Sequence, residues 1–156
     1  MRIAIGSDHS GVALKARLVS HLEARGLEVQ DFGTDSEQSV DYPDFARPVA
    51  EAVASGEAAL GVVLCSNGVG VSIVANKVAG VRAGLCGDPW SSRRAREHTN
   101  CNVLAMGAGV VGPLLAIEIL DAFVDAEFEG GRHARRVAKV DALDGVPVDT
   151  AMGSGE

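Results

Sequence analysis

The sequence is poor in cysteine: only Cys65, Cys86 and Cys101 occur, with no CxxC spacing among them. Neither a disulfide framework nor a zinc site is therefore expected, and free thiols fit a reducing cytoplasm. Basic charge is short as well, with 14 Lys and Arg against 21 Asp and Glu and a net charge of −7. That excludes nucleic acid as the main partner, since phosphate backbones want a basic surface, and leaves room only for a local basic site for a small anion. No apolar run reaches membrane-spanning length. The first residues, Met1 to Asp8, enter a strand pattern directly, with no signal-peptide h-region. No membrane and a cytoplasmic location are expected. There is no internal repeat, no G-x-x-x-x-G-K-[ST] loop, and no H-x-x-x-H or histidine–carboxylate cluster suggesting a metal. No metal and no organic cofactor are expected.

What is present is a regular alternation of short apolar runs with amphipathic stretches in 156 residues, enough for one domain. Strands are expected at Arg2–Ser7, Leu27–Phe32, Ala59–Cys65, Val81–Cys86 and Asn102–Met106. Helices are expected at Val12–Arg25, from Tyr42-Pro43-Asp44 to about Ala54, at Ser72–Lys77, Pro89–His98, Pro113–Asp125 and His133–Leu143. Such alternation predicts a three-layer α/β/α sandwich around a five-stranded, parallel, Rossmann-like sheet. The expected domain is 1–144, with a poorly ordered tail over 145–156.

In open α/β sheets, ligands sit outside the carboxyl ends of the strands. Asp8 and His9 follow the first strand, as a turn with a helix cap or as an acid/base pair with an anion-binding imidazole. Cys65 ends the third strand, as an inert core thiol or as a base. The glycines of Ser66-Asn67-Gly68-Val69-Gly70 let amides converge there, and the next helix points its positive end at the same place. Both features stabilise negative charge on the sulfur or on a developing oxyanion. His98 reads equally as a helix C-cap or a general acid/base. Arg132 and Arg136, four apart, share a helix face as a phosphate clamp or a solvated surface. Gly107-Ala108-Gly109-Val110-Val111-Gly112 matches G-x-G-x-x-G, but no strand ending in an acidic residue follows, so dinucleotide binding is set aside.

These residues resemble a known family, the type B ribose-5-phosphate isomerases and the related galactose-6-phosphate isomerase subunits. The likeness runs from Ile3 to about Val140. It rests on Gly6-Ser7-Asp8-His9-Ser10-Gly11, Asp41-Tyr42-Pro43-Asp44, Cys65 to Ile73, Ala75-Asn76-Lys77-Val78, Gly80-Val81-Arg82-Ala83, Arg96-Glu97-His98, Asn102-Val103-Leu104 and Gly130-Gly131-Arg132-His133. The resemblance implies an aldose–ketose isomerase of sugar phosphates, ribose 5-phosphate to ribulose 5-phosphate by default, working through a cis-enediolate. It implies Cys65 as the base that moves a proton between C1 and C2, with Ser66, Asn67, Gly68, Val69 and Gly70 stabilising the enediolate through their backbone. It implies His98 as ring opener, Asp8 and Tyr42 at sugar hydroxyls, and His9, Arg132 and Arg136 at the phosphate. It implies a homodimer or homotetramer with its site between subunits, His98 arriving from the partner. Two departures stand out. The family's Cys-Gly-Thr-Gly is here Cys65-Ser66-Asn67-Gly68, and a basic residue common after the fifth strand is here Gly109. They leave a tetrose or hexose phosphate open as substrate. A non-catalytic nucleotide- or phosphate-binding module is the alternative from another class.

Overall fold

Alternation along the first strand, with Ile3 and Ile5 turned one way and Ala4 and Gly6 the other, requires cover on both faces. The computed structural model, which describes residues 1–145, supplies it. The strands are β1 (Arg2–Ser7), β2 (Glu28–Asp31), β3 (Leu60–Cys65), β4 (Ala83–Leu85) and β5 (Val103–Gly107). The helices are α1 (Val12–Ala24), α2 (Pro43–Ala54), α3 (Val69–Asn76), α4 (Pro89–Thr99), α5 (Pro113–Val124) and α6 (Arg132–Asp141). All pairings are parallel, in the order β2-β1-β3-β5-β4.

One layer is built on Leu14, Leu18 and Leu22 of α1 and Ala116, Ile119, Leu120 and Phe123 of α5. They close over Ile3, Ile5, Val62, Leu64, Leu104 and Met106 of the sheet, and α4 packs on α5, where the buried Ser92 hydroxyl donates to the Ile119 carbonyl at 2.8 Å. Each large aliphatic or aromatic side chain so buried stabilises the fold by about 1.5–3 kcal/mol. The other layer sets Ala46, Val49, Ala50 and Val53 of α2 and Val71 and Ala75 of α3 against Ala4, Val63, Cys65, Val103 and Ala105. The result is the three-layer α/β/α sandwich with a five-stranded, parallel, Rossmann-like sheet.

Three elements differ in extent from the sequence expectation. β4 is confined to Ala83–Leu85, because the Val81 amide closes a turn on Val78 and the Arg82 amide is taken by the Asn102 side chain. α3 starts at Val69 rather than Ser72, with Gly68 at the N-cap and the Val69 amide donating to Asn67 Oδ1 at 3.0 Å. α6 starts at Arg132 and gives way to a 3-10 turn over Ala142–Asp144. The expected tail lies, beyond Gly145, outside the described residues.

The chain leaves β1 toward β2 on one side and returns to β3 on the other, so the winding reverses between β1 and β3. The carboxyl ends of those two strands are Ser7 and Cys65, and the crevice for a ligand opens above them.

Candidate active site

Above β1 and β3 the structure gathers the first group of candidates. The Asp8 amide donates to the Leu64 carbonyl at 3.3 Å, which fixes Asp8 beside the end of β3. Its Oδ1 accepts both the amide and the hydroxyl of Ser10, while Oδ2 makes no hydrogen bond among the described residues. The turn-cap and the site readings of Asp8 are therefore compatible, one oxygen for each. His9 Nδ1 accepts the Val40 amide at 3.2 Å, so the neutral ring carries its proton on Nε2, a donor left for an anion.

Cys65 is buried at 4% exposure, its sulfur on the α2/α3 side of the sheet. The Gly68 amide donates to Sγ at 3.2 Å, at the N-terminus of α3. The next amides of that first turn, Gly70 and Val71, have no intrahelical carbonyl within reach and face the crevice end of the helix. Gly68 sits at φ 79°, and a Cβ there would lie 2.5 Å from Leu85 Cδ1 and 2.8 Å from the Met106 carbonyl carbon. Conformation and space both demand glycine. Burial pushes the Cys86 thiol up to about 12 and also raises Cys101, which leaves both inert.

The glycine-rich stretch after β5 braces this loop. Ala108 and Gly109 donate their amides to the carbonyls of Cys65 and Ser66, each at 2.8 Å. A Cβ at Gly107 would lie 2.6 Å from the Asn67 carbonyl carbon, so only glycine lets the two loops meet. That packing accounts for the first two glycines of the G-x-G-x-x-G match, Gly107 and Gly109, without a dinucleotide. Tyr42 joins from the start of α2, its ring so close over Gly70 that a Cβ there would lie 2.8 Å from Cζ. Asp8, His9, Tyr42, Cys65 and the loop from Ser66 to Gly70 thus form one contiguous group.

His98, Arg132 and Arg136 are not in it. His98 ends α4, and the chain reaches β5 only five residues later, so His98 lies at the amino end of the sheet. A strand of this length separates the two ends by roughly 15–20 Å. Within one protomer the two halves do not meet. At that far end the ring of His98 stacks on His133, centroids 4.1 Å apart and planes at 9°. Glu129 Oε2 lies 3.7 Å from His98 Nε2 and 3.5 Å from His133 Nε2. Arg94 Nη1 donates to His98 Nε2 at 3.0 Å. Arg132 and Arg136 sit exposed on α6, one turn apart, and among the described residues neither forms an ion pair. Burial first, then His98 and Arg132, hold His133 below the ordinary imidazole value.

The reading that no histidine–carboxylate cluster exists is corrected here: the ligand atoms of His98, Glu129 and His133 lie within 4.8 Å of one another. The four-residue spacing of Glu129 and His133 was the available signal, hidden by the glycine pair between them. The arrangement does not favour a metal. Parallel stacked rings place their lone pairs in parallel planes that cannot converge on one ion, and the Arg94 guanidinium already occupies the His98 Nε2 edge.

Comparisons with known proteins show the family. A family model described as Ribose/Galactose Isomerase matches residues 3–140. The chain is 50% identical over 143 residues to ribose-5-phosphate isomerase B of Escherichia coli K12, covering 92% of this chain and 96% of that one. It is 45% identical over 141 residues to the D-erythrulose-4-phosphate isomerase of Pectobacterium atrosepticum, covering 90% and 93%. A solved structure of Clostridium thermocellum ribose-5-phosphate isomerase B superposes with a TM-score of 0.92 at 52% identity, covering 93% of this chain and 98% of that one.

Proposed function

The chain belongs to the ribose/galactose isomerase family and is an isomerase of sugar phosphates, and from that premise we propose that it interconverts ribose 5-phosphate and ribulose 5-phosphate by proton transfer through Cys65. The observation that carries the mechanism is the Cys65 sulfur beneath the first turn of α3, with amides aimed at the same crevice.

In the open-chain aldose the hydrogen on C2 is acidified by the C1 carbonyl. The Cys65 thiolate takes that proton and the electron pair moves onto the carbonyl oxygen, giving a cis-enediolate. Loop amides from Ser66 to Gly70 stabilise its charge as it develops. The hydroxyl proton on O2 then passes to O1 as the thiol returns its own proton to C1, and C2 becomes the ketone. Asp8 and Tyr42 hold the sugar hydroxyls. His9, through Nε2–H, and Arg132 with Arg136 hold the phosphate by charge-assisted hydrogen bonds. His98 opens the furanose ring, without which no hydrogen lies beside a free carbonyl. No metal or organic cofactor enters this chemistry.

Because His98, Arg132 and Arg136 lie at the opposite end of the sheet from Cys65, this reading requires a second copy of the chain, each site drawing one half from each protomer. Exposed Val69, Ile73 and Leu85 on α3 and β4 supply an apolar face for that pairing. We therefore read the protein as a homodimer, or a tetramer of paired dimers, built from a single isomerase domain over 1–144. Its three cysteines are free, which suits the cytoplasm, and no described helix is long and apolar enough to cross a membrane.

One observation favours a second substrate. The loop carries Ser66-Asn67, Gly109 supplies no cation, and a relative at 45% identity is named for a tetrose phosphate. A panel of pentose, tetrose and hexose phosphates ranks the readings by kcat/KM. Ribose 5-phosphate should lead by tenfold or more, a difference of about 1.4 kcal/mol in transition-state binding. A leading tetrose or hexose phosphate overturns the assignment of the sugar, and turnover of none overturns the isomerase reading in favour of a binding module.

A further inference from the structure

The cluster at the end of α4 is more elaborate than a single acid/base histidine needs. A backbone device builds it: Glu129 donates its amide to the Glu97 carbonyl at 3.0 Å, and Gly130 and Gly131, at φ 65° and 55°, turn the chain at once into α6. That reversal lays Glu129 and His133 against the His98 ring. His133 is buried at 4% exposure, and its Nε2 has no hydrogen-bond partner although Glu129 Oε2 lies 3.5 Å away. The groups facing His98 are Arg94 on its own helix, with Glu97 paired to it, Glu129 from the connecting loop and His133 from α6, while Arg132 and Arg136 of α6 act on His133.

We propose that Glu129 and His133 are positioning residues for His98, the stacked His133 ring fixing the plane of the imidazole and the Glu129 carboxylate, close to both rings and to Arg94, offsetting the guanidinium that sits on His98 Nε2 while His98 takes part in ring opening. This rests on the reading of His98 as the ring opener. Two imidazoles stacked at 4.1 Å cannot readily hold two charges. His133 is the more buried and is held below its ordinary value, which keeps it the neutral stacking partner of His98, whose side chain is 33% exposed against 5% for His133. Glu129 is the one carboxylate within 4 Å of both rings among the described residues, set against the cations Arg94, Arg132 and Arg136. Without it the one carboxylate left nearby is Glu97, which is already paired with Arg94.

The test is a double-mutant comparison of kcat for ribose 5-phosphate against pH. Glu129→Gln should lower kcat about tenfold and move the profile to lower pH, because removing the anion disfavours the protonated pair. His133→Ala should lose a similar factor, and His133→Phe, which keeps a stacking ring, should recover to within about threefold of wild type. Placed on His98→Asn, neither substitution should cost more than about twofold further, since residues acting through one group are not additive. Losses that multiply in the double variants, or an unmoved profile in Glu129→Gln, overturn the proposal while leaving His98 in place. A His98→Asn enzyme with wild-type turnover instead overturns the ring-opening assignment itself.

Discussion

The Gly68 amide and the Cys65 sulfur meet at 3.2 Å, and the contact exists only because Gly68 holds a positive φ at the head of α3. Gly68→Ala would force a side chain into the left-handed region and onto Leu85 and the β5 backbone. The expected outcome is a kcat loss of about 10² or more, with a stability loss of about 1–3 kcal/mol. Steady-state kinetics and denaturant melts measure the two separately, and near-wild-type values in both would remove the loop from the account.

The separation of Cys65 from His98 across the sheet predicts complementation between subunits. Cys65→Ala and His98→Asn are each expected to be impaired alone. After denaturation and refolding of an equal mixture, half the dimers are mixed, and each mixed dimer holds one intact site. Activity should recover to about one quarter of wild type. Recovery of nothing above the weaker parent would mean that each site is complete within one protomer.

Much of this was legible beforehand, and the reasons are local. The strand ending in Cys65 and the loop after it follow from an apolar run broken by glycines, and the structure lies within a residue of that expectation. The start of α3 at Val69, with Asn67 Oδ1 accepting its amide, was missed because two glycines obscured where the helix begins. The bracing of the loop by Gly107 and Gly109 was not readable, since it depends on β5 lying beside β3, an adjacency set by topology rather than sequence order. Nor could spacing reveal the stack of His98 on His133, residues 35 positions apart by their numbers and joined only when α6 folds against α4.

His133 gives the pH dependence its sign. Burial, then His98 and Arg132, hold its folded value below the ordinary imidazole value, so the unfolded chain binds the proton more readily. Its contribution to stability is therefore intact above about pH 6.5 and is lost as pH falls toward the folded value. Tm measured from pH 7.5 to pH 5 should fall, and it should fall less in His133→Phe. Equal slopes in the two proteins would show that this imidazole is not a source of acid sensitivity.

The central claim, that Cys65 moves a carbon-bound proton of a sugar phosphate, is tested most directly by solvent exchange. Wild-type protein and Cys65→Ala are each incubated with ribose 5-phosphate in heavy water, and deuterium at C1 and C2 is followed by NMR. Wild type should incorporate deuterium as ribulose 5-phosphate forms. Cys65→Ala, folded by circular dichroism, should lose both exchange and turnover by about 10³ or more, since the proton transfer then lacks its base. A folded Cys65→Ala that exchanges at the wild-type rate would contradict the account.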